Sequence, residues 1–334
     1  MTQAGLELGE HALISRIRAR LPTLPPWVLI GPGDDAAVLE PARNALDVLS
    51  VDSLVEGVHF DRALAPFSAV GFRALAVNLS DLAAMGAEPR AALLALALPP
   101  GTRVDELDAF LDGWLELALR HRVALVGGNL TSTRGPMIAT VTVTGSVGSR
   151  QVLRRAGARP GDEVYLSGDI GAAAVGLESL RTAGPAAPDD GLAECQARYL
   201  RPEPRVRLGL ALARNRAASA CMDLSDGLAD AVHQVADASG VGLKIEAGQL
   251  PVHQAARAWF ESRGADPVGA SLASDDYELL FTCRPRHRGR LRTAIQRAGS
   301  VRITRVGVVT AERAVVLRHD GHEEPFPTGF AHFR

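Results

Sequence analysis

The 334-residue sequence has one lysine, Lys244; its other Lys/Arg-type cations are all arginines. A Walker-type ATPase needs a lysine inside G-x-x-x-x-G-K-[ST], and a protein kinase needs one on its third strand. Lys244 lies in VGLKIEA, an alternating strand pattern with no glycine loop before it. Both of those ways of handling a nucleotide are excluded. Cysteine is scarce too: Cys195, Cys221 and Cys283 lie far apart and are odd in number. They fit neither a disulfide frame nor a zinc knuckle, so a reducing cytoplasm is the expected compartment. A net charge of −2 provides no broad basic field, so no nucleic-acid partner is expected. Long apolar runs are missing. AALLALAL (91–98) stops at Pro99-Pro100, is too short to span a bilayer, and reads as a buried strand. The opening MTQAGLELGEHALISRI has neither the basic start nor the apolar core of a secretory leader. No membrane association is expected.

What is present is an ordinary globular composition, 47% hydrophobic and 22% charged, so a packed core is affordable. Periodicity predicts helices over 11–21, 67–87, 104–122, 171–181, 204–214, 228–239 and 287–298, and in QAARAWFESRG. Strands are predicted over 36–39, 46–52, 91–99, 123–128, 137–148, 163–167, 277–283, 301–309 and 313–318, in KIEA, and leading into CMDLSDG (221–227). The period of two is clearest in VTVTGSV. RTAGPAAPDDG (181–191) reads as a surface loop. Strands and helices alternate in two blocks, which predicts two α/β or α+β domains, 1–149 and 150–334.

Aspartates fall at the ends of these strands. Asp34 and Asp35 follow the glycine turn of IGPGDDAAVL, and Asp52 ends LDVLSVD. Asp81 lies in NLSDLAAMGA, within a helix whose apolar face Asn78 and Ser80 also interrupt. Asp223 and Asp226 lie in MDLSDGLADA; Asp275 and Asp276 lie in SLASDDYELLF. Strand ends are where open α/β sheets place ligands. Each acid also has a plainer reading. Ser225 can be an N-cap with Asp226 a first-turn acid, and a DD pair before a strand is commonly a solvated turn. Taken together, acids in apolar context repel one another unless paired or metal-bound. Carboxylates and hydroxyls without a His or Cys cluster suit an oxygen-loving ion such as Mg²⁺, which in turn suits a polyphosphate ligand. GGN (127–129) reads either as a phosphate-facing backbone or as a tight strand-to-loop turn. His59 and the pair Arg154-Arg155 are candidate ligand contacts, with structural or solvent-exposed roles as the alternatives.

GPGDDAAVL, VDSLVEGVHF, ALAVNLSDLAAMGAEPRAALLALALP, LVGGN, RRAGARPGD, MDLSDGLADA and DDYELLFT occur in that order. In this combination the chain resembles the thiamine-monophosphate kinase family, part of an ATP-binding superfamily with aminoimidazole ribonucleotide synthetase. The resemblance runs from about residue 7 to the C-terminus. It implies two α/β domains of the synthetase type, with N-terminal sheets pairing into a homodimer. It implies transfer of phosphate from ATP to thiamine monophosphate, directly and in line, on several Mg²⁺ ions. Asp35, Ser50, Asp52, Asp81, Asp223 and Asp226 match its metal ligands. Val51 and Asn129 stand at two further ligand positions. Gly128, Asn129, Arg155 and Ser225 match nucleotide contacts; His59, Asp275 and Phe330 match contacts to thiamine phosphate. Asp35, Asp52, Asp81 and Asp223 are the residues on which catalysis is expected to rest.

The chain departs from that pattern in four places. Asn129 replaces the usual Asp of GGD, Asp275 a usual Glu, Val51 a frequent Thr, and Pro32 a usual apolar residue. Two other functions remain open from sequence: a superfamily relative that activates another small acid or phosphate with ATP, and a non-catalytic nucleotide-binding homodimer.

Overall fold

The computed structural model describes residues 9–182 and 189–329. The chain forms two units, Met1–Leu79 with Glu88–Ser149, and Ser80–Ala87 with Arg150–Arg334. Among the described residues no helix is long and apolar enough to cross a membrane.

The first unit contains, in order, α1 (Glu10–Arg20), β1 (Val28–Ile30), β2 (Val38–Leu39), β3 (Leu46–Val55), α2 (Phe67–Ala84), β4 (Glu88–Leu98), α3 (Val104–His121), β5 (Ala124–Ser132) and β6 (Ile138–Val147). The last turn of α2 groups with the second unit. β1 and β2 form a small antiparallel pair; the main sheet has the order β3-β6-β4-β5. In β6 the alternation of VTVTGSV is realised. Ala139, Val141, Val143 and Val147 are buried, while Thr140, Thr142 and Thr144 face the other side. α2 and α3 approach at contact distance. A Cβ on Gly71 would lie 1.9 Å from the Phe110 carbonyl oxygen, and one on Gly113 1.8 Å from that of Ser68. Any larger residue there would push the helices apart. Phe72, Leu75, Phe110 and Trp114 fill the core of this unit.

The sheet register decides which way the candidate residues face. Asp52 pairs with Val141, Val141 with Leu94, and Leu94 with Gly128. This row lies on the face that carries the buried side chains. Ser53, Thr140, Ala95 and Asn129 form the next row, on the opposite face.

The second unit contains β7 (Glu163–Ser167), α4 (Ala172–Thr182), α5 (Asp190–Leu200), α6 (Val206–Asn215), β8 (Ala220–Asp223), α7 (Gly227–Ser239), β9 (Gly242–Glu246), α8 (Gln254–Glu261), α9 (Pro267–Ser271), β10 (Leu279–Cys283), α10 (Arg288–Ala298), β11 (Ile303–Thr310), β12 (Val315–His319) and β13 (His322–Pro325). Its seven-stranded sheet has the order β13-β12-β9-β11-β7-β10-β8. Only the β12–β9 pairing is parallel among these described strands. Leu166, Leu228, Val232, Leu243 and Leu280 belong to its core.

Two sequence expectations change here. Gly127-Gly128-Asn129 does not turn; it continues β5 to Ser132, paired with β4. A Cβ on Gly128 would lie 1.9 Å from the Leu94 carbonyl oxygen, so the glycine permits a close strand approach. The loop expected at 181–191 is narrower. α4 runs to Thr182, and α5 starts at Asp190, capped by Asp189 Oδ1 accepting from Leu192 N–H at 2.8 Å. Residues 183–188 of that stretch lie outside the described residues.

Candidate active site at the strand ends

In the first unit, Asp34 and Asp35 lie exposed between β1 and β2. The Asp35 N–H donates to Asp34 Oδ1 at 2.9 Å, and Gly33 sits at φ +128°, a conformation that favours glycine. The turn is solvated, and both carboxylates are accessible to a cation. Ser50, Val51 and Asp52 lie on β3, with Ser50 and Asp52 half-buried and Val51 exposed on the other face. The Asp52 N–H donates to Asn78 Oδ1 at 3.0 Å, and Asn78 Nδ2 donates to the Ala74 carbonyl at 3.0 Å. Asn78, the amide that interrupts the apolar face of α2, thus fixes the backbone beside Asp52. His59 is oriented by the same strand. Its Nδ1 accepts from Val55 N–H at 3.1 Å, which places the proton of a neutral ring on Nε2.

Gly128 and Asn129 lie on β5, at the opposite sheet edge from Asp52. Three interstrand steps put their backbones about 14 Å from it. The Asn129 side chain also faces the other side of the sheet. Asp52 and Asn129 of one chain therefore do not share a single ion.

In the second unit, Ser80 Oγ donates to Asp223 Oδ2 at 2.7 Å, which brings the last turn of α2, and with it Asp81, to the end of β8. Asp223 is only 2% exposed. Asp226 occupies the N-cap position of α7, yet its carboxylate makes no cap hydrogen bond. Ser225 is not the N-cap, so the plain helix-capping reading of LSDG is set aside. Leu224 N–H donates to the Glu278 carbonyl at 2.8 Å, and Tyr277 N–H to the Leu224 carbonyl at 3.2 Å. Asp223, Ser225, Asp226 and Asp275 are therefore carried by two segments bonded to each other. Arg155 Nη1 donates to Gln234 Oε1 in the middle of α7, and Cys221 N–H donates to the Arg154 carbonyl, so Arg155 lies between β8 and the body of α7. Phe330 lies outside the described residues.

The adjacent acids Asp275 and Asp276 play different parts. Asp276 is buried and accepts from Gly171 N–H at 2.7 Å and Ala173 N–H at 2.9 Å, at the start of α4. Burial pushes its carboxyl up to about 7 despite those bonds. Asp275 stays half-buried. Between them and β10, Tyr277 has φ +53°, in the left-handed region. The strained turn is held by Glu278, which is fully buried. Glu278 accepts from Ser167 Oγ at 2.5 Å, Arg205 Nε at 2.6 Å and Arg198 Nη1 at 3.4 Å. Sequence reasoning passed over this glutamate. Its signal was a charged residue inside the apolar run of YELLF.

The candidate metal ligands divide between the units: Asp35, Ser50, Val51, Asp52 and Asn129 in the first, Asp81, Asp223 and Asp226 in the second. Among the described residues no three His, Cys, Asp or Glu side chains gather in an arrangement that could hold a metal ion. The donor chemistry nevertheless fits Mg²⁺. Carboxylate, hydroxyl, amide and backbone oxygens are what a hard divalent cation takes. The Asp223 carboxylate is nearly inaccessible and accepts from the Ser80 hydroxyl.

Comparison with known proteins identifies the family and the fold. The model for the N-terminal domain of AIR synthase related proteins matches residues 33–147, and that for their C-terminal domain matches residues 159–320. The thiamine-monophosphate kinase of Salmonella typhimurium is 37% identical over 329 residues, 97% of this chain and 98% of the relative. The chain belongs to the thiamine-monophosphate kinase family. The crystal structure of the Stenotrophomonas maltophilia K279a thiamine-monophosphate kinase superposes with a TM-score of 0.82 at 37% identity, covering 97% of this chain and 99% of that one. AaThiL complexed with AMPPCP and TMP superposes with a TM-score of 0.78 at 30% identity, covering 98% of both chains. The chain thus has the two AIR-synthase-type domains that its sequence led us to expect.

Proposed function

We propose that this chain transfers the γ-phosphoryl group of ATP to thiamine monophosphate, giving thiamine diphosphate and ADP. The near-full-length identity of 37% to the Salmonella typhimurium kinase carries this reading. A relative solved with AMPPCP and TMP supports both ligands.

Gly128, Asn129, Arg155 and Ser225 are assigned to the nucleotide, and His59, Asp275 and Phe330 to thiamine monophosphate. Asp35, Ser50, Asp52, Asp81, Asp223 and Asp226 would hold Mg²⁺, with Val51 offering its backbone carbonyl and Asn129 its amide oxygen. Bound Mg²⁺ supplies charge neutralisation between two polyanions and fixes their phosphates for in-line attack. The accepting phosphate oxygen is already ionised near neutral pH, so the chain needs no general base. His59, held through Nδ1 by the Val55 N–H, is assigned to orienting the substrate. Arg155, held beside α7 by Gln234, would contribute a cation to the phosphates of the nucleotide. Transfer is direct, and recovery of a phosphorylated protein on the reaction path would refute this.

The chain works as a homodimer in this account. The sheet face opposite the helices exposes Leu49 (67%), Val51 (57%) and Leu93 (43%), an apolar surface that a second copy would cover. The expected sedimentation mass is that of two chains. Three buried free cysteines suit the reducing cytoplasm. The deciding assay gives the purified chain ATP, Mg²⁺ and thiamine monophosphate and scores thiamine diphosphate.

A further inference from the structure

The second unit has an open surface pocket of about 470 Å³ lined by residues 159–162 and 284–286. It lies at the wrong end of the sheet to be part of the aspartate site. β7 and β10 are antiparallel, with Glu163 opposite Cys283 and Leu166 opposite Leu280. The pocket segments flank the Glu163–Cys283 end. Asp223 pairs with Leu279 at the other end, beside Ser225, Asp226 and Asp275. The length of β10 separates the two by roughly 15 Å.

The pocket is strongly cationic. Arg159, Arg284 and Arg286 line it. Nearby Arg288 and Arg305 are paired with Glu163. The guanidinium groups of Arg159, Arg284 and Arg286 form no ion pair among the described residues. The lining carboxylate, Asp162, is already engaged: it is 3% exposed and accepts from Arg159 N–H at 3.1 Å and Ser219 Oγ at 2.6 Å. Arg284 Nε is buried and has no hydrogen-bond partner. A buried N–H without an acceptor is costly, so this side chain is not fully satisfied by its own chain. The adjoining His287 ring is held below its ordinary value by burial and by the charges of Arg290, Arg286 and Arg284. The frame is stiff: Pro160-Gly161 makes one turn, with Gly161 at φ +87°, and Pro285 opens a short 3₁₀ turn on the other side.

Guanidinium forks take phosphate oxygens in pairs, and three arginines lining one open pocket suit a ligand with several phosphate oxygens. We propose that this pocket is a second anion site that binds the diphosphate group of a small molecule, independently of the aspartate-rich end. A nucleoside diphosphate and inorganic pyrophosphate share that group.

The test is calorimetric titration of the full chain with inorganic pyrophosphate and, separately, with ADP, both in excess chelator. Without divalent cations the acidic end repels anions, so binding there drops out. The expected result is one saturable pyrophosphate site per chain. Its affinity falls about tenfold or more in the double variant R284A/R286A and in R159A, at unchanged melting temperature. A parallel loss for ADP supports recognition of the diphosphate group itself. No saturable pyrophosphate binding by the wild-type chain, or unchanged affinity in both variants, overturns the proposal. Preference for a short RNA over both probes overturns it as well.

Discussion

Ser80 Oγ and Asp223 Oδ2 are 2.7 Å apart, although 143 positions separate them in the sequence. This bond ties the NLSD segment to the DLSD segment inside the second unit. Replacing Ser80 with alanine leaves a buried carboxylate short of a donor. The expected cost is about 1–3 kcal/mol of stability, read as a lower urea midpoint at unchanged slope. A Ser80→Ala variant as stable as the parent would remove this bond from the account.

Glu278 carries more. Its carboxylate holds Arg205, Arg198 and Ser167 while its carbonyl holds Leu224 N–H beside Asp223. Glu278→Ala leaves the Arg205 charge buried without its carboxylate, which costs about 3–5 kcal/mol. Thermal unfolding should show that loss, and at low temperature the surviving folded protein should have a raised KM for thiamine monophosphate, because the Asp275 segment is no longer held. An unaltered KM would separate the network from the substrate segment.

Asp276 predicts a pH dependence. Its carboxyl titrates near 3.8 when solvated and is pushed up to about 7 by burial. Between those values the folded chain keeps a proton that the unfolded chain has lost. The stabilisation is complete below about pH 4 and disappears as pH rises through about 7. Asp276→Asn cannot titrate. Its melting temperature should change less than the parent's between about pH 5 and pH 8. Parallel curves for the two proteins would contradict the assignment.

Asn129 predicts a metal dependence. An amide brings an oxygen but no charge to a divalent cation. Asn129→Asp restores a carboxylate, and the Mg²⁺ concentration giving half-maximal activity should fall by on the order of tenfold. The same requirement for Mg²⁺ in both proteins would dissociate residue 129 from the metal.

The sequence made the regular elements legible where one face repeats without interruption. VTVTGSV alternates cleanly and forms β6; VDELDAFLDGWLELALRH keeps its apolar stripe through α3. α5 was missed because its first two residues, Asp190 and Gly191, continue the Asp and Gly of the stretch before them. β13, HEEP, pairs only at the sheet edge and has no buried face to leave a pattern. GGN read either as a phosphate-facing backbone or as a turn, because two glycines usually bend a chain. Here Gly128 makes room for the Leu94 carbonyl instead.

The aspartates were visible because acids at strand ends in apolar context are conspicuous. What supports them was not. Asn78 looked like a blemish on a helix until its bond to the Asp52 backbone appeared. Glu278 and Arg205 lie 73 residues apart, a pairing that no local pattern encodes. Asp275 and Asp276 read as a pair, yet one is spent on the start of α4.

The most direct test is formation of thiamine diphosphate by the purified chain and by Asp52→Asn, each given ATP, Mg²⁺ and thiamine monophosphate. The account predicts steady production by the parent chain. It predicts a turnover lower by orders of magnitude in the variant, with its melting curve preserved. No thiamine diphosphate from the parent chain, or equal turnover in Asp52→Asn, would contradict it.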